Sequence, residues 1–434
     1  MKVIKATIKI ILDSHGEETL EAELKSGDIL VSASVPSGKS KGAHEAFVLE
    51  PKKALEKFES IKPQILSRDF GSQEEFDNFL ISLDGTPNKQ NLGANLILAL
   101  SLAFSRLMAK NDNLELFEYI TKIQNLKPKT QNLKPIFNVI NGGVHSGYPH
   151  KSALNQCQSA SLDFQEFQVI PEVKDFGIAL GLSQEFYRKL KEFLEQKFGK
   201  ENVVLGDESG FSCPFKNNEE AIEVLAELIT KHNYPLKIGL DAAATQFFKR
   251  QETSDKGQGI YLLDGKNYSA EELKSFYLKL IYAYKILSIE DPFYEESFDM
   301  FASLTSQINA DGKQINADKQ ILIITDDLTT TNPQRLQTAI DKKSGNAIII
   351  KPDQIGTLTE TLKVVRLAYQ NNWQAVVSHR SGETMDDFIA DLAIGINAWG
   401  LKAGAPASPE RMAKYERIFT IISNSQFPIS KLRH

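Results

Sequence analysis

The sequence predicts an α/β protein, a barrel of strands and helices behind a smaller N-terminal α+β domain. Three observations predict it. Residues 1–35 alternate apolar and polar positions and then give way to a helical pattern from Glu45 to Ile120. From Phe137 onward, strand and helix patterns alternate. Six short apolar runs in the second half each end in or just before a charged or imidazole side chain: Asp241, Glu290, Asp326, Lys351, His379 and Lys402. In a β/α barrel the active site lies at the C-terminal ends of the strands, so those six side chains are expected in one cup.

Taken in order, VIKATIKIIL, TLEAEL and DILVSASV read as three strands, with turn material at Ser14–Gly16 and Ser26–Asp28. PSGKSKG, residues 36–42, contains GKS but has Ala33 where a Walker A loop needs glycine, so a nucleotide loop is not expected. A mobile lid whose Ser40 hydroxyl reaches a metal fits better. LGANLILALSLAFSRLMAK is the strongest helix, and QNLKPKTQNLKP (124–135) reads as an extended linker. The domains are therefore drawn at 1–132 and 133–434. Helices are expected over 219–231, 270–284, 333–342, 357–370 and 385–395. The duplication QINADGKQINADKQ (307–320) reads as a loop insertion, and the barrel is expected to close near residue 420.

Composition bounds the partners. The chain has 434 residues, is 41% hydrophobic and 24% charged, and carries a net charge of −6. That is an ordinary globular composition. The acidic balance and the lack of a basic stripe argue against nucleic acid. The longest apolar stretch, Ala94 to Ala109, contains Asn95, Ser101, Ser105 and Arg106, too polar and too short to span a bilayer. Two cysteines, Cys157 and Cys213, make no disulfide framework, and the N-terminus lacks the apolar core of a signal peptide. A cytoplasmic protein is expected.

The chemistry follows from residue type. Three carboxylates at separate strand ends (Asp241, Glu290, Asp326) form an all-oxygen donor set that favours Mg²⁺. Lys351 and Lys402 end buried strands, where a lysine is costly unless paired. Either could serve as a base or a charge partner. In SHRSGET (378–384), Arg380 and Ser381 suit a phosphate or carboxylate. GDESGF and FQEF place Glu208 and Glu166 on further strand ends as a possible acid pair, and NGGVHSG carries His145 on a Gly-rich loop.

These segments closely resemble the enolase family. The matching runs include DSHGEETLEAEL, PSGKSKGAHEA, FNVINGGVHSG, LGDESGF, SIEDPF, IIIKPDQIGTLTET, VSHRSGET and LKAGAPASPERMAKYE, in family order over nearly the whole chain. The resemblance implies an eight-stranded α/β (TIM-like) barrel with an N-terminal capping domain. It implies reversible dehydration of 2-phosphoglycerate to phosphoenolpyruvate with two Mg²⁺ per active site, in a cytoplasmic homodimer. Carried over by position, Asp241, Glu290 and Asp326 bind one Mg²⁺, and Ser40 ligates the second. Lys351 is the base, and Glu208 helped by Glu166 is the acid. Lys402 neutralises charge on the intermediate. Arg380 and Ser381 hold the phosphate, while His379 and His145 line the pocket.

The chain also departs from the family pattern. Lys39 and Lys41 flank Ser40, Ser209 stands where glycine is usual, and Pro352–Asp353 replace an apolar residue and asparagine. The loop from Ser146 to Asp163 is longer than usual. His15 and Thr420 replace arginines near the usual dimer interface, which predicts a weaker dimer if Glu21 is left buried without a cation. A dehydratase of another acid, or a binding protein without catalysis, are the rival readings. Retention of the whole charged set favours catalysis.

Overall fold

The protein is described from a computed structural model, which describes residues 1–38, 42–127, 133–147, 162–250, 259–315 and 320–426. Ser40, Lys39, Lys41, Cys157 and most of the long loop after Ser146 lie outside the described residues.

The N-terminal sheet is an antiparallel meander of β1 (Lys5–Leu12), β2 (Glu18–Ser26) and β3 (Ile29–Ser34). Its period-two pattern puts Ala6, Ile8, Leu20, Ala22 and Leu24 inward. They meet α3 (Ala94–Asn111), the helix read as strongest, which is buried on nearly every face. α1 (Pro51–Ser67), α2 (Gln73–Asp84) and α4 (Leu116–Ile123) complete this part. Ser72 caps α2 by accepting from the Glu75 N–H, and Gly85 ends it in a left-handed turn. The linker expected from Gln124 is anchored at its start. The Gln124 amide donates to the Leu362 carbonyl and accepts from Arg366.

The barrel is a closed sheet of eight strands: β4 (Lys134–Asn141), β5 (Glu166–Pro171), β8 (Leu236–Asp241), β12 (Ser288–Glu290), β13 (Leu322–Thr325), β14 (Ala347–Ile350), β15 (Gln374–Ser378) and β16 (Gly400–Lys402). Pairing of β16 with β4 closes it. Seven strands run parallel, and β5 runs against both of its neighbours. A short hairpin, β6 (Val204–Leu205) with β7 (Phe211–Ser212), attaches to β4, and β9 (Phe248–Arg250), β10 (Gly259–Leu263) and β11 (Lys266–Tyr268) form a separate small sheet.

The helices around the barrel are α5 (Phe176–Phe198), α6 (Asn218–Lys231), α7 (Ala270–Tyr284), α8 (Phe298–Ile315), α9 (Pro333–Lys342), α10 (Leu358–Gln370), α11 (Phe388–Gly395) and α12 (Pro409–Gln426), of which α6, α7, α9, α10 and α11 fall at the stretches expected to be helical. One expectation needs correcting. The duplicated stretch was read as a loop, yet its first copy, from Gln307, continues α8. Gln307, Ala310 and Lys313 favour helix while Asn309, Asp311 and Gly312 do not, so the preceding helix continues through a stretch of mixed local propensity.

Candidate active site

The seven parallel barrel strands deliver their C-terminal ends to one rim. Asp241 and Glu290 end neighbouring strands and lie in register, and Asp326 follows β13 next to them. Lys402 ends β16 across the cup. Its ammonium donates to Asp241 Oδ2 and to both Glu290 oxygens at 2.9 Å, and it lies 3.2 Å from Glu166 Oε1. Burial pulls the Lys402 ammonium down, but Asp241, Glu166 and Glu290 outweigh it and hold it well above its usual range. Glu290 is pushed well up by burial and by Asp241. This is a place built for positive charge.

Lys351 directly follows β14 and pairs with Asp326 Oδ2. Burial lowers its basicity, while Asp326 more than restores it, so the side chain stands as an ammonium. Gln354 donates to the other oxygen of Asp326 at 2.9 Å.

Glu166 and Glu208 reach the site by routes that the sequence reading misplaced. Glu166 begins its strand instead of ending one, and because β5 is reversed that start lies at the rim opposite Asp241. Glu208 is not on a barrel strand end at all. It sits in the turn of the β6–β7 hairpin, where Asn138 donates to its Oε2 at 2.9 Å. His145 Nδ1 lies 3.4 Å from Glu208 and 3.8 Å from Glu166, and His379 Nε2 lies 3.3 Å from Glu208. Burial pushes Glu166 well up, with Glu208 adding to the effect. Burial acts on Glu208 too, but His379, His145 and Arg411 hold it well below the usual range. A proton shared by this pair therefore rests on Glu166. His379 is pushed down to about 4 by burial and is neutral, so its help to Glu208 is a ring N–H and not a charge.

Arg380 and Ser381 are both buried in the loop after β15. Arg380 meets Asp353 and Glu45. Thus the residues predicted at the site converge, Ser40 excepted because it lies outside the described residues.

Two carboxyl-rich groups stand within metal-ligand reach among the described residues: His145 with Glu166 and Glu208, and Asp291 with Asp326 and Asp327. Neither is the predicted trio. Asp291 is already committed, however, accepting the backbone N–H groups of Asp326 and Asp327 and so shaping the turn. Asp241, Glu290 and Asp326 present buried oxygens whose partners are ammonium groups, and that donor set suits a hard divalent cation better.

The chain matches the family model described as "Enolase, N-terminal domain" over residues 3–120 and "Enolase, C-terminal TIM barrel domain" over residues 132–426. The chain belongs to the enolase family. A curated enolase of Methanocaldococcus jannaschii is 39% identical, covering 95% of this chain and 92% of its own length. Enolases of Thermococcus gammatolerans and Methanopyrus kandleri are each 38% identical, over 95% and 97% of this chain and 92% and 95% of their own.

Arg411 joins this site without having been expected there from the sequence. Arg411 is fully buried and donates to His379 Nδ1 and to the carbonyls of Arg380, Ser381 and Asp207. Its spacing to the buried Lys414 and Tyr415 on α12 marks a charged core face, and that pattern could have flagged it. His15 puts Nε2 2.8 Å from the Ser381 carbonyl. Glu21 is half-buried with Lys9 at 3.5 Å, so it does not lack a cation. Thr420 is exposed and donates only locally, to the Glu416 carbonyl.

Proposed function

We propose that this enolase-family chain interconverts 2-phosphoglycerate and phosphoenolpyruvate with the residues just described. By family it is a phosphopyruvate hydratase, a carbon–oxygen lyase. The observation that carries the residue assignment is Lys402, whose ammonium joins the Asp241–Glu290 side of the cup to the Glu166–Glu208 side.

In this reading Lys351 would be the base for the weakly acidic proton beside the substrate carboxylate, acting in its neutral form once a bound cation takes Asp326 from the ammonium that it now pairs with. Lys402 neutralises the second negative charge that this leaves. The Glu166–Glu208 pair, on the opposite side, gives a proton to the departing hydroxyl. Arg380 and Ser381 hold the phosphate and keep the reacting carbon in register. His145 and His379 orient the acid pair and wall off water.

Asp241, Glu290 and Asp326 would hold one Mg²⁺ and Ser40 of the lid would contribute to a second. Bound cations would supply charge against the developing dianion. A glycolytic role, a cytoplasmic setting and a division at residues 132/133 belong to the same proposal. No helix of the described residues is long and apolar enough to cross a membrane.

A homodimer is also proposed. Exposed Leu12, Leu30 and Met385 flank a cleft of about 750 Å³ between the N-terminal sheet and the barrel, lined by Glu21, Arg106 and Arg417. Apolar rims with half-buried charges suit a partner surface.

A coupled assay for phosphoenolpyruvate formation tests the function. EDTA should abolish it and Mg²⁺ should restore it. Full turnover by metal-free protein would overturn the reading. Light scattering over a dilution series tests the dimer.

A further inference from the structure

Two loops and both stems of the lid meet at one guanidinium. Arg380 Nη1 donates to Asp353 Oδ2 at 2.7 Å and to Glu45 Oε2 at 3.0 Å, and Nη2 reaches Glu45 Oε1 at 3.4 Å. The Arg380 side chain is 4% exposed, Glu45 is 7% and Asp353 is 15%. Glu45 Oε1 also accepts the Gly42 N–H at 3.0 Å, where the lid rejoins the fold. The other stem rests on the same group. A Cβ added at Gly38 would lie 2.1 Å from Arg380 Nη2.

Two buried carboxylates therefore face one guanidinium, beneath backbone that leaves no room for a side chain. Asp353 enters from the short turn after β14, directly downstream of Lys351. Arg380 carries a planar fork of donors that fits carboxylate and phosphate oxygens equally well. Together Asp353 and Glu45 present up to two negative charges, as a phosphate ester does at neutral pH.

We propose that Asp353 and Glu45 are an internal surrogate for the substrate's phosphate, and that phosphate binds Arg380 by displacing them. This rests on the reading of Arg380 as the phosphate ligand. Two consequences follow from the charges. A singly charged anion offers Arg380 less than the two carboxylates it would displace, so the clamp selects for dianionic phosphate. Displacing Glu45 from Arg380 also alters the contact that ties Gly42, so occupancy of the site is relayed to the lid stem. Asp353 is the more exposed arm and the one with room to turn toward water, which makes it the specificity-determining residue.

Inorganic phosphate is the probe, with formate as a singly charged comparison, both measured by calorimetry on the full chain. Asp353→Asn is nearly isosteric and removes the charge. It should bind phosphate about tenfold more tightly, the scale of one charged hydrogen bond. KM for 2-phosphoglycerate should fall in parallel, and formate should become a measurable competitor. Glu45→Gln should give a smaller gain, and adding Arg380→Gln to Asp353→Asn should cancel the gain. Unchanged phosphate affinity in Asp353→Asn, with clear weakening in Arg380→Gln, would overturn the clamp while leaving Arg380 as the phosphate ligand. Unchanged affinity in Arg380→Gln would overturn both. Matched thermal melts show that each variant is folded.

Discussion

Arg411 Nη1 donates to Nδ1 of His379, and that contact fixes which ring nitrogen carries the histidine's proton. A guanidinium has no acceptor, so Nδ1 must accept. The proton is then on Nε2, which faces Glu208 Oε2 at 3.3 Å. The same guanidinium donates to the Arg380 and Ser381 carbonyls, so one buried cation braces the proton-handling side and the anion-holding loop together.

Arg411→Lys should therefore lower kcat by about 10–100-fold, the usual cost of losing such an outer support. KM should rise as well, because the loop is released. Steady-state kinetics on protein with a matched melting temperature would show it. An unchanged kcat would mean that the ring is held by other contacts.

Acid should weaken the fold through His379. Burial pushes it down to about 4, against about 6.5 in the unfolded chain. Between those values the unfolded state binds the extra proton, so stability is full above pH 6.5 and is lost as pH falls toward 4. The span corresponds to about 3 kcal/mol. Denaturant unfolding at pH 7 and pH 5 measures the loss, and His379→Gln should flatten the slope between them.

Proton removal and hydroxyl departure should separate, since Lys351 and Glu208 stand on different elements. Lys351→Ala should lose exchange of the substrate's C2 proton with deuterated solvent by about 10²–10⁴-fold. Glu208→Gln should retain exchange while losing dehydration. Wild-type exchange in Lys351→Ala would remove Lys351 from the base role.

Ser209 holds φ at +64°, in the left-handed region, where a side chain costs roughly 1 kcal/mol. Ser209→Gly should raise the melting temperature by about 1 °C in a chain of this size, whereas Ser209→Val should lower it. A melting temperature that falls in the glycine variant would show that the hydroxyl contributes more than the backbone loses.

Much of this was legible because barrel strands announce themselves. A buried run such as AIII must end somewhere, and a charge placed directly after it can only be at the rim. Glu166 and Glu208 stood out in FQEF and GDESGF, but their routes were not legible. Strand direction leaves no trace in a fully buried run such as FQVIP, since both neighbours bury it equally. Glu208 follows no strand of the barrel, so local pattern said nothing of its position. Arg411 and Asp353 escaped for another reason. Each acts on groups close in space and distant in sequence, and their partners became apparent only once the loops had met.

The reversed strand also changes the parity of the chain. A strand that descends must be followed by an even number of helices before the next strand can ascend, and α5 and α6 supply two. The link between those two helices then has to lie on the catalytic side, giving this barrel a rim segment that the repeating unit would not provide. Glu208 rides on that extra segment, ending no barrel strand and meeting the barrel through the pairing of β7 with β4 and through Asn138. The segment can therefore be reshaped without disturbing the barrel closure, whereas Lys351 and Lys402 cannot move unless β14 and β16 move with them.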